Sequence, residues 1–229
     1  MQIKGKLVEG IFLERVNRFA AFVEIDGKKE LVHVTNSGRM RELLQEGVVV
    51  VLSRQESKNR KTAYDLIMVK YQGKLVSIDS KIPNQLFYYL WQTRALRDFS
   101  SYPECFAEVN YRRSRLDFLL RDGQDKCLIE LKSVTLVNEG RALFPDAPTE
   151  RGKKHLEDLI KAKEEGIRAV VIFIIQREDG IFFSPHDEMD KGFSKALRQA
   201  GEKGVEIQVY SCHVTKESIS LKEQLPVIL

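Results

Sequence analysis

No apolar run in this chain approaches the roughly 20 residues needed to cross a bilayer, and its start, Met1-Gln2-Ile3-Lys4-Gly5, lacks the apolar core of a secretory signal. A soluble, cytoplasmic protein with no membrane partner is the expectation. Cysteine is scarce: Cys105, Cys127 and Cys212 are odd in number and widely spaced, which suits neither a disulfide framework nor a paired-cysteine zinc cluster. They read as reduced, mostly buried thiols. A strong net charge is missing as well, since 37 Lys plus Arg nearly cancel 33 Asp plus Glu to leave +4. Attraction to a polyanion must then come from local clusters. There is no internal repeat and no low-complexity tract.

What is present is 229 residues, 43% of them apolar, enough for two small domains with cores of their own. From Leu7 to about Ser77 short apolar runs alternate with turn signals, which predicts a small all-β domain. Asp26-Gly27 marks a hairpin and Met40 to Leu44 a short helix between strands. A five-stranded OB-type barrel fits this count and length, as do other small barrels. After Ile82-Pro83 the pattern changes: Leu86, Phe87, Leu90, Trp91 and Leu96 form a helical stripe over Asn84 to Phe99 behind a cap at Asn84. The boundary is placed near Lys81, giving domains 1–80 and 81–229. A strand near Phe106 to Val109, a hairpin within Leu116 to Val134, a helix from Glu150 to Glu165 ended by Gly166, a strand at Ala169 to Ile175, a helix from Glu188 to Ala200 and a strand at Val205 to Val214 follow. Helices and strands interleaved this way predict an α/β domain with a mixed central sheet.

The hairpin carries the chemistry. If Gly123-Gln124 is its two-residue turn, Asp117 lies directly opposite Glu130; if Asp122-Gly123 is the turn, the two are diagonal. Either register puts Asp117, Glu130 and Lys132 on one face of the ribbon, and a three-residue loop would not. Two carboxylates so placed repel each other unless a cation lies between them. Mg²⁺ or Mn²⁺ suits them, with a backbone oxygen such as that of Leu131 completing the protein's share and open positions left for water and phosphate. Lys132 would then orient or deprotonate the attacking water, or stabilise developing negative charge. An acid-x-Lys triplet is common, and Asp26-Gly27-Lys28 and Asp79-Ser80-Lys81 are decoys. Glu130-Leu131-Lys132 differs in lying inside an otherwise apolar strand, where charges are unfavourable without a task or a partner. A structural ion pair between Lys132 and a carboxylate is the competing reading.

A helix, a strand, an Asp and a Glu-x-Lys across a hairpin, then a later helix resemble the PD-(D/E)xK nucleases. The whole chain resembles the sugar fermentation stimulation protein A family, through His33-Val34-Thr35-Asn36-Ser37-Gly38-Arg39-Met40, Ser114-Arg115-Leu116-Asp117-Phe118-Leu119-Leu120, Ile129-Glu130-Leu131-Lys132-Ser133-Val134-Thr135 and Phe144-Pro145-Asp146-Ala147-Pro148-Thr149-Glu150-Arg151-Gly152. The resemblance implies an N-terminal OB-fold, a PD-(D/E)xK nuclease-like domain, DNA binding and a role in regulating sugar (maltose) catabolism. It makes Asp117 and Glu130 metal ligands and Lys132 the catalytic lysine. The nuclease pattern often adds an acid on its first helix. Asn84 to Arg97 has none, and Glu108 on the next strand is the substitute candidate.

Basic clusters supply phosphate-binding candidates: Arg54, Lys58, Arg60 and Lys61; Arg112, Arg113 and Arg115 before the hairpin; Arg151, Lys153, Lys154 and His155 opening a helix whose start carries partial positive charge. The first is read as a solvated loop. His33, Asn36 and Arg39 are candidates on the OB side. The sequence therefore points to a Mg²⁺-dependent phosphodiesterase acting on DNA, single- or double-stranded and without strong sequence specificity. A non-catalytic DNA-binding transcriptional regulator with an idle site is the alternative, and a metal hydrolase of nucleotides the third reading. A homo-oligomer is compatible with all three.

Overall fold

The computed structural model of the chain describes residues 1–56 and 60–229; Ser57, Lys58 and Asn59, part of the first basic cluster, lie outside the described residues. The first six strands are β1 (Leu7–Asn17), β2 (Ala20–Ile25), β3 (Lys28–Val34), β4 (Val49–Arg54), β5 (Tyr64–Tyr71) and β6 (Lys74–Ser77). They run in the order β3-β2-β1-β4-β5-β6, and a parallel pairing of His33 with Asp65 and Val34 with Leu66 joins β3 to β5. Five strands thus close into the OB barrel, with β6 folded back on β5. Alternate residues such as Val23, Ile25, Val32 and Val34 fill it. The β2–β3 turn is Asp26-Gly27, at φ 50° and 73°, the left-handed pair that a two-residue hairpin requires and that Asp and Gly tolerate.

Gly10 is required by contact rather than by dihedral. A Cβ there would stand 2.6 Å from Val23 Cγ1 and 2.8 Å from the Glu24 carbonyl oxygen. Gly10→Ala is expected to lower unfolding free energy by about 1–3 kcal/mol, since overpacking against a backbone atom outweighs the few tenths gained from stiffening the unfolded chain. A urea midpoint unchanged from the parent would show that the barrel wall yields there.

Met40 to Leu44 is a single turn, not the expected helix. Amides of Leu43 and Leu44 both donate to the Met40 carbonyl, at 3.1 and 2.9 Å. Met40 has φ 47°, outside the helical region, because the side chains of Met40 and Leu43 are drawn into the barrel core instead.

Beyond the barrel come α1 (Ile82–Gln92), β7 (Glu104–Tyr111), β8 (Ser114–Asp122), β9 (Asp125–Val134), β10 (Val137–Asn138), β11 (Arg141–Phe144), α2 (Glu150–Glu164), β12 (Arg168–Ile175), β13 (Phe182–Pro185), α3 (Lys191–Glu202), β14 (Glu206–Val214) and β15 (Ile219–Gln224). The main sheet runs β15-β14-β12-β9-β8-β7. It is parallel across β9, β12 and β14 and antiparallel toward both edges. A small sheet, β10-β11-β13, lies beside it. Residues of α2 and α3, among them Leu156, Leu159, Phe193 and Leu197, pack with Leu128, Val171 and Phe173 in one layer. In the other, Leu86 and Phe87 of α1 pack with Ile129, Leu131 and Ile172, together with Val51, Ile67 and Met68 of the barrel. Barrel and sheet therefore share an apolar core.

Polar pins fix their relation. Ser77 Oγ donates to Gln176 Oε1 at 2.8 Å, and the Ser77 amide to the Gln176 carbonyl at 3.0 Å. On the other side of the seam, the Met40 amide donates to Asp146 Oδ2 at 2.7 Å.

The first helix corrects the sequence reading. It starts after Lys81, with Pro83 in its first turn, and no side chain caps it. Asn84 lies inside that turn, and its amide is used elsewhere. The helix stops at Thr93, whose hydroxyl donates to the Tyr89 carbonyl at 2.9 Å, and Arg94 turns left-handed at φ 57°. Only a short 3-10 turn, Arg97–Phe99, follows. Thr149 does cap α2, accepting from the Gly152 amide at 3.0 Å, and Gly166, φ 81°, follows its end. Asp190 rather than Glu188 opens α3. All three cysteines are free. Burial pushes the Cys127 and Cys212 thiols up to about 12 and Cys105 to about 11, which keeps them unreactive. No helix of the described residues is long and apolar enough to cross a membrane.

Candidate metal and phosphate site

The β8–β9 ladder runs from Asp122 with Asp125 to Phe118 with Ile129 and then stops, with Gly123 in the turn at φ 56°. Asp117 and Glu130 are the next position on each strand. From here β8 stays with β7 and β9 with β12, so the strands part and open a cleft. Asp117 fills the gap. Its Oδ2 accepts the Leu131 amide at 2.7 Å and its Oδ1 accepts Asn84 Nδ2 at 2.7 Å. The asparagine read as a helix cap is thus the group that fixes the first carboxylate.

Glu130 and Lys132 are buried, 3% and 8% exposed. Lys132 Nζ donates to Glu130 Oε1 at 2.5 Å, and His155 Nδ1 bonds the same oxygen. Glu130 Oε2 is buried with no partner among the described residues. Burial alone would raise the Glu130 pKa, but the Lys132 charge and the His155 bond outweigh it and hold this carboxyl below its usual range. Asp117 is shifted the other way, chiefly by burial and then by the Glu130 charge, against the opposing bonds from Leu131 and Asn84. Two acids a strand apart, one orphaned oxygen and one carboxyl held back from ionising are what a hard divalent cation would resolve. The donor set therefore fits one. Among the described residues no three His, Cys, Asp or Glu side chains converge to hold a metal, so a carbonyl, water or phosphate would have to supply the remaining ligands. The Lys132–Glu130 ion pair also exists; it occupies one oxygen of Glu130 and leaves the other.

The cleft measures about 800 Å³ and lies between barrel and sheet. Asp117, Glu130 and Lys132 line it, with Glu108, Arg115, Arg151 and Asn36. Glu108 falls opposite Asp117 in the β7–β8 register but outside the ladder. It is exposed, with its backbone at φ 55°, and paired with Arg115 at 2.8 Å. Arg113, Arg115, Arg151, Lys153 and Lys154 line an adjoining groove of about 490 Å³. Arg112 lies apart, ion-paired to Glu165. His155, grouped in the sequence with the phosphate-facing cations, is 3% exposed and turned to Glu130, because position 155 falls on the buried face of α2.

The OB-side candidates divide. His33 Nδ1 pairs with Asp65 at 2.9 Å, and neither residue lines the cleft. Asn36 borders the cleft, its amide spent on the Ile78 carbonyl and the Gly38 amide, at 2.9 and 2.8 Å. Arg39 is exposed. What shapes this segment is Arg15, which sequence reasoning missed: its guanidinium donates to the carbonyls of Gly38, Arg39, Arg18 and Asn36 at 2.6 to 3.0 Å. An arginine in a β-strand carries no local signal of such a task.

An OB barrel joined to an α/β layer with a mixed central sheet, with the acid-and-lysine ribbon at the seam, defines the class. The family is equally specific. Residues 13–78 match the SfsA N-terminal OB domain, and residues 81–218 match the sugar fermentation stimulation protein RE domain. The chain belongs to the sugar fermentation stimulation protein family. It is 48% identical over 230 residues to the sugar fermentation stimulation protein homolog of Caldanaerobacter subterraneus subsp. tengcongensis, covering 100% of both chains. To that of Alkaliphilus metalliredigens it is 46% identical, covering 98% of both. The structure of Pyrococcus furiosus SfsA in complex with Ca²⁺ superposes with a TM-score of 0.91 at 30% identity, covering 100% of this chain and 98% of that one.

Proposed function

We propose that this protein is a Mg²⁺- or Mn²⁺-dependent phosphodiesterase that binds DNA through the barrel, residues 1–80, and cuts it in the nuclease-like part, residues 81–229. The observation that carries this reading is the unpartnered, buried Oε2 of Glu130 beside Asp117, where an unsatisfied carboxylate oxygen is costly without a ligand. The P. furiosus relative was solved with Ca²⁺, a hard, oxygen-seeking cation like Mg²⁺. Asp117, Glu130 and the Leu131 carbonyl would hold the ion, with Glu108 within the same cleft. When bound, the cation supplies positive charge to the phosphoryl oxygens and acidifies a water. Asn84 fixes Asp117. Lys132 places an ammonium where charge develops on the scissile phosphate, and Arg113, Arg115, Lys153 and Lys154 offer point and planar cations to flanking phosphates.

One observation favours binding without cutting: Lys132 already has a carboxylate partner, and among the described residues no third acid converges on the pair. Labelled single-stranded and duplex DNA, incubated with pure protein and Mg²⁺, Mn²⁺ or chelator, separates the readings. Metal-dependent products support the enzyme. Tight, salt-sensitive binding with intact DNA under every condition supports the regulator and rejects the enzyme.

A further inference from the structure

Between the carboxylate centre and the basic groove runs a chain of contacts that neither metal binding nor DNA attraction by itself requires. Arg151 is exposed and borders both the cleft and the groove. Its Nε donates to His155 Nε2 at 3.2 Å, which makes that nitrogen the acceptor and leaves Nδ1 to carry the proton toward Glu130 Oε1. The ring orientation of His155 is set from both ends. Among the described residues no protein group takes up Nη1 or Nη2 of Arg151. These two amines form a planar fork matched to two oxygens of one phosphate.

We propose that Arg151, His155 and Glu130 form a relay through which a substrate phosphate and the divalent cation strengthen each other's binding. The inference rests on the phosphodiesterase reading and deepens it. A phosphate held by the Arg151 fork immobilises that side chain and hence the Nε bond to His155. His155 then fixes one oxygen of Glu130 and leaves Oε2 free for the cation. Without phosphate, Arg151 is an exposed side chain with rotamer freedom, and the Glu130 carboxylate loses part of its support. His155 and Arg151 are thus positioning residues for Glu130, and substrate holds in place the arrangement that these contacts already define.

The test measures coupling rather than turnover. Ca²⁺ is titrated calorimetrically into the full-length protein, with and without a saturating six-residue oligothymidylate that is checked to be intact afterwards. The oligonucleotide is expected to tighten Ca²⁺ roughly tenfold and, by reciprocity, Ca²⁺ to tighten the oligonucleotide by the same factor. Arg151→Lys keeps the charge at an exposed position and loses the fork and the Nε link, so the factor should fall toward one. His155→Phe should do the same, and His155→Asn, which restores a donor toward Glu130, should recover part of it. Lys154→Ala should weaken the oligonucleotide while the factor persists. A factor unchanged in Arg151→Lys and His155→Phe would overturn the relay, since direct contact between phosphate and cation would then explain the coupling. Ca²⁺ binding with no coupling in the parent overturns the relay alone; no Ca²⁺ binding at all removes the metal reading with it.

Discussion

Glu130→Gln is expected to reduce metal-dependent cutting roughly a thousandfold while leaving the protein folded. The change removes the charge that lies between Lys132 and the proposed cation but keeps an oxygen to accept from Lys132 and His155, which bond the same atom of Glu130. A bound cation contributes several kcal/mol of charge stabilisation in phosphoryl transfer. At about 1.4 kcal/mol per decade of rate, losing most of it amounts to about three decades. Two effects on stability oppose each other. The Lys132 ammonium, 8% exposed, loses its counter-charge, while Asp117 loses the neighbour that helps to raise its pKa. The net change should be small beside the loss of activity. A second readout does not depend on turnover: the parent's melting temperature should rise with added divalent ion, as expected when a ligand binds only the folded state, and the variant's should not. Undiminished cutting by the variant would remove Glu130 from the chemistry.

Asp117, Glu130 and Lys132 were readable as one group because a two-residue hairpin dictates which residues share a face, and Gly123 at positive φ is what such a turn needs. Turn chemistry left two registers open, both with this shared face, and the pairing of Asp122 with Asp125 through Phe118 with Ile129 selects Gly123-Gln124 as the turn. The opening of the ladder just past Phe118 and Ile129 was not readable, since it arises where β8 and β9 take different outer neighbours. That opening gives Asp117 its bond to the Leu131 amide. Asn84 was misread for a related reason: a polar residue after Ile82-Pro83 satisfies the local rule for a cap, whereas its actual partner lies on a strand 33 positions away in sequence. His155 was grouped with its charged neighbours by adjacency, although the helical period turns it inward. Arg15 had no local signal at all. The barrel and the mixed sheet were legible from alternation and hairpin spacing, because those patterns are set within each element; the polar seam between them depends on pairs such as Ser77 with Gln176, 99 positions apart.

That seam gives the second large effect. Arg177 has a guanidinium only 2% exposed. It makes two bonds of 2.6 Å to Asp179, donates to the Thr135 carbonyl at 3.0 Å and lies 5.1 Å from the Tyr71 ring of the barrel. Burial by itself raises the Asp179 pKa, but bonding to Arg177 outweighs it and holds the carboxyl below its usual value. Asp179→Asn leaves a buried cation without its counter-charge and is expected to cost about 3 kcal/mol at neutral pH. That is the lower end for breaking a buried pair, because Asp179 retains 30% exposure. A carboxyl depressed in the folded state stabilises above its unfolded pKa of about 3.9, and the contribution disappears as pH falls through the folded value. The gap between parent and variant should therefore be full above about pH 5 and close progressively below pH 4. Pairing the change with Arg177→Met should restore most of the loss, since a buried ion pair is often replaced by apolar groups at little cost. Urea unfolding of the parent, Asp179→Asn, Arg177→Met and the double variant at pH 7 and pH 3.5 checks the argument. A gap that stays constant across that range, or a double variant no better than Asp179→Asn, would mean that the ion pair does not hold this part of the seam.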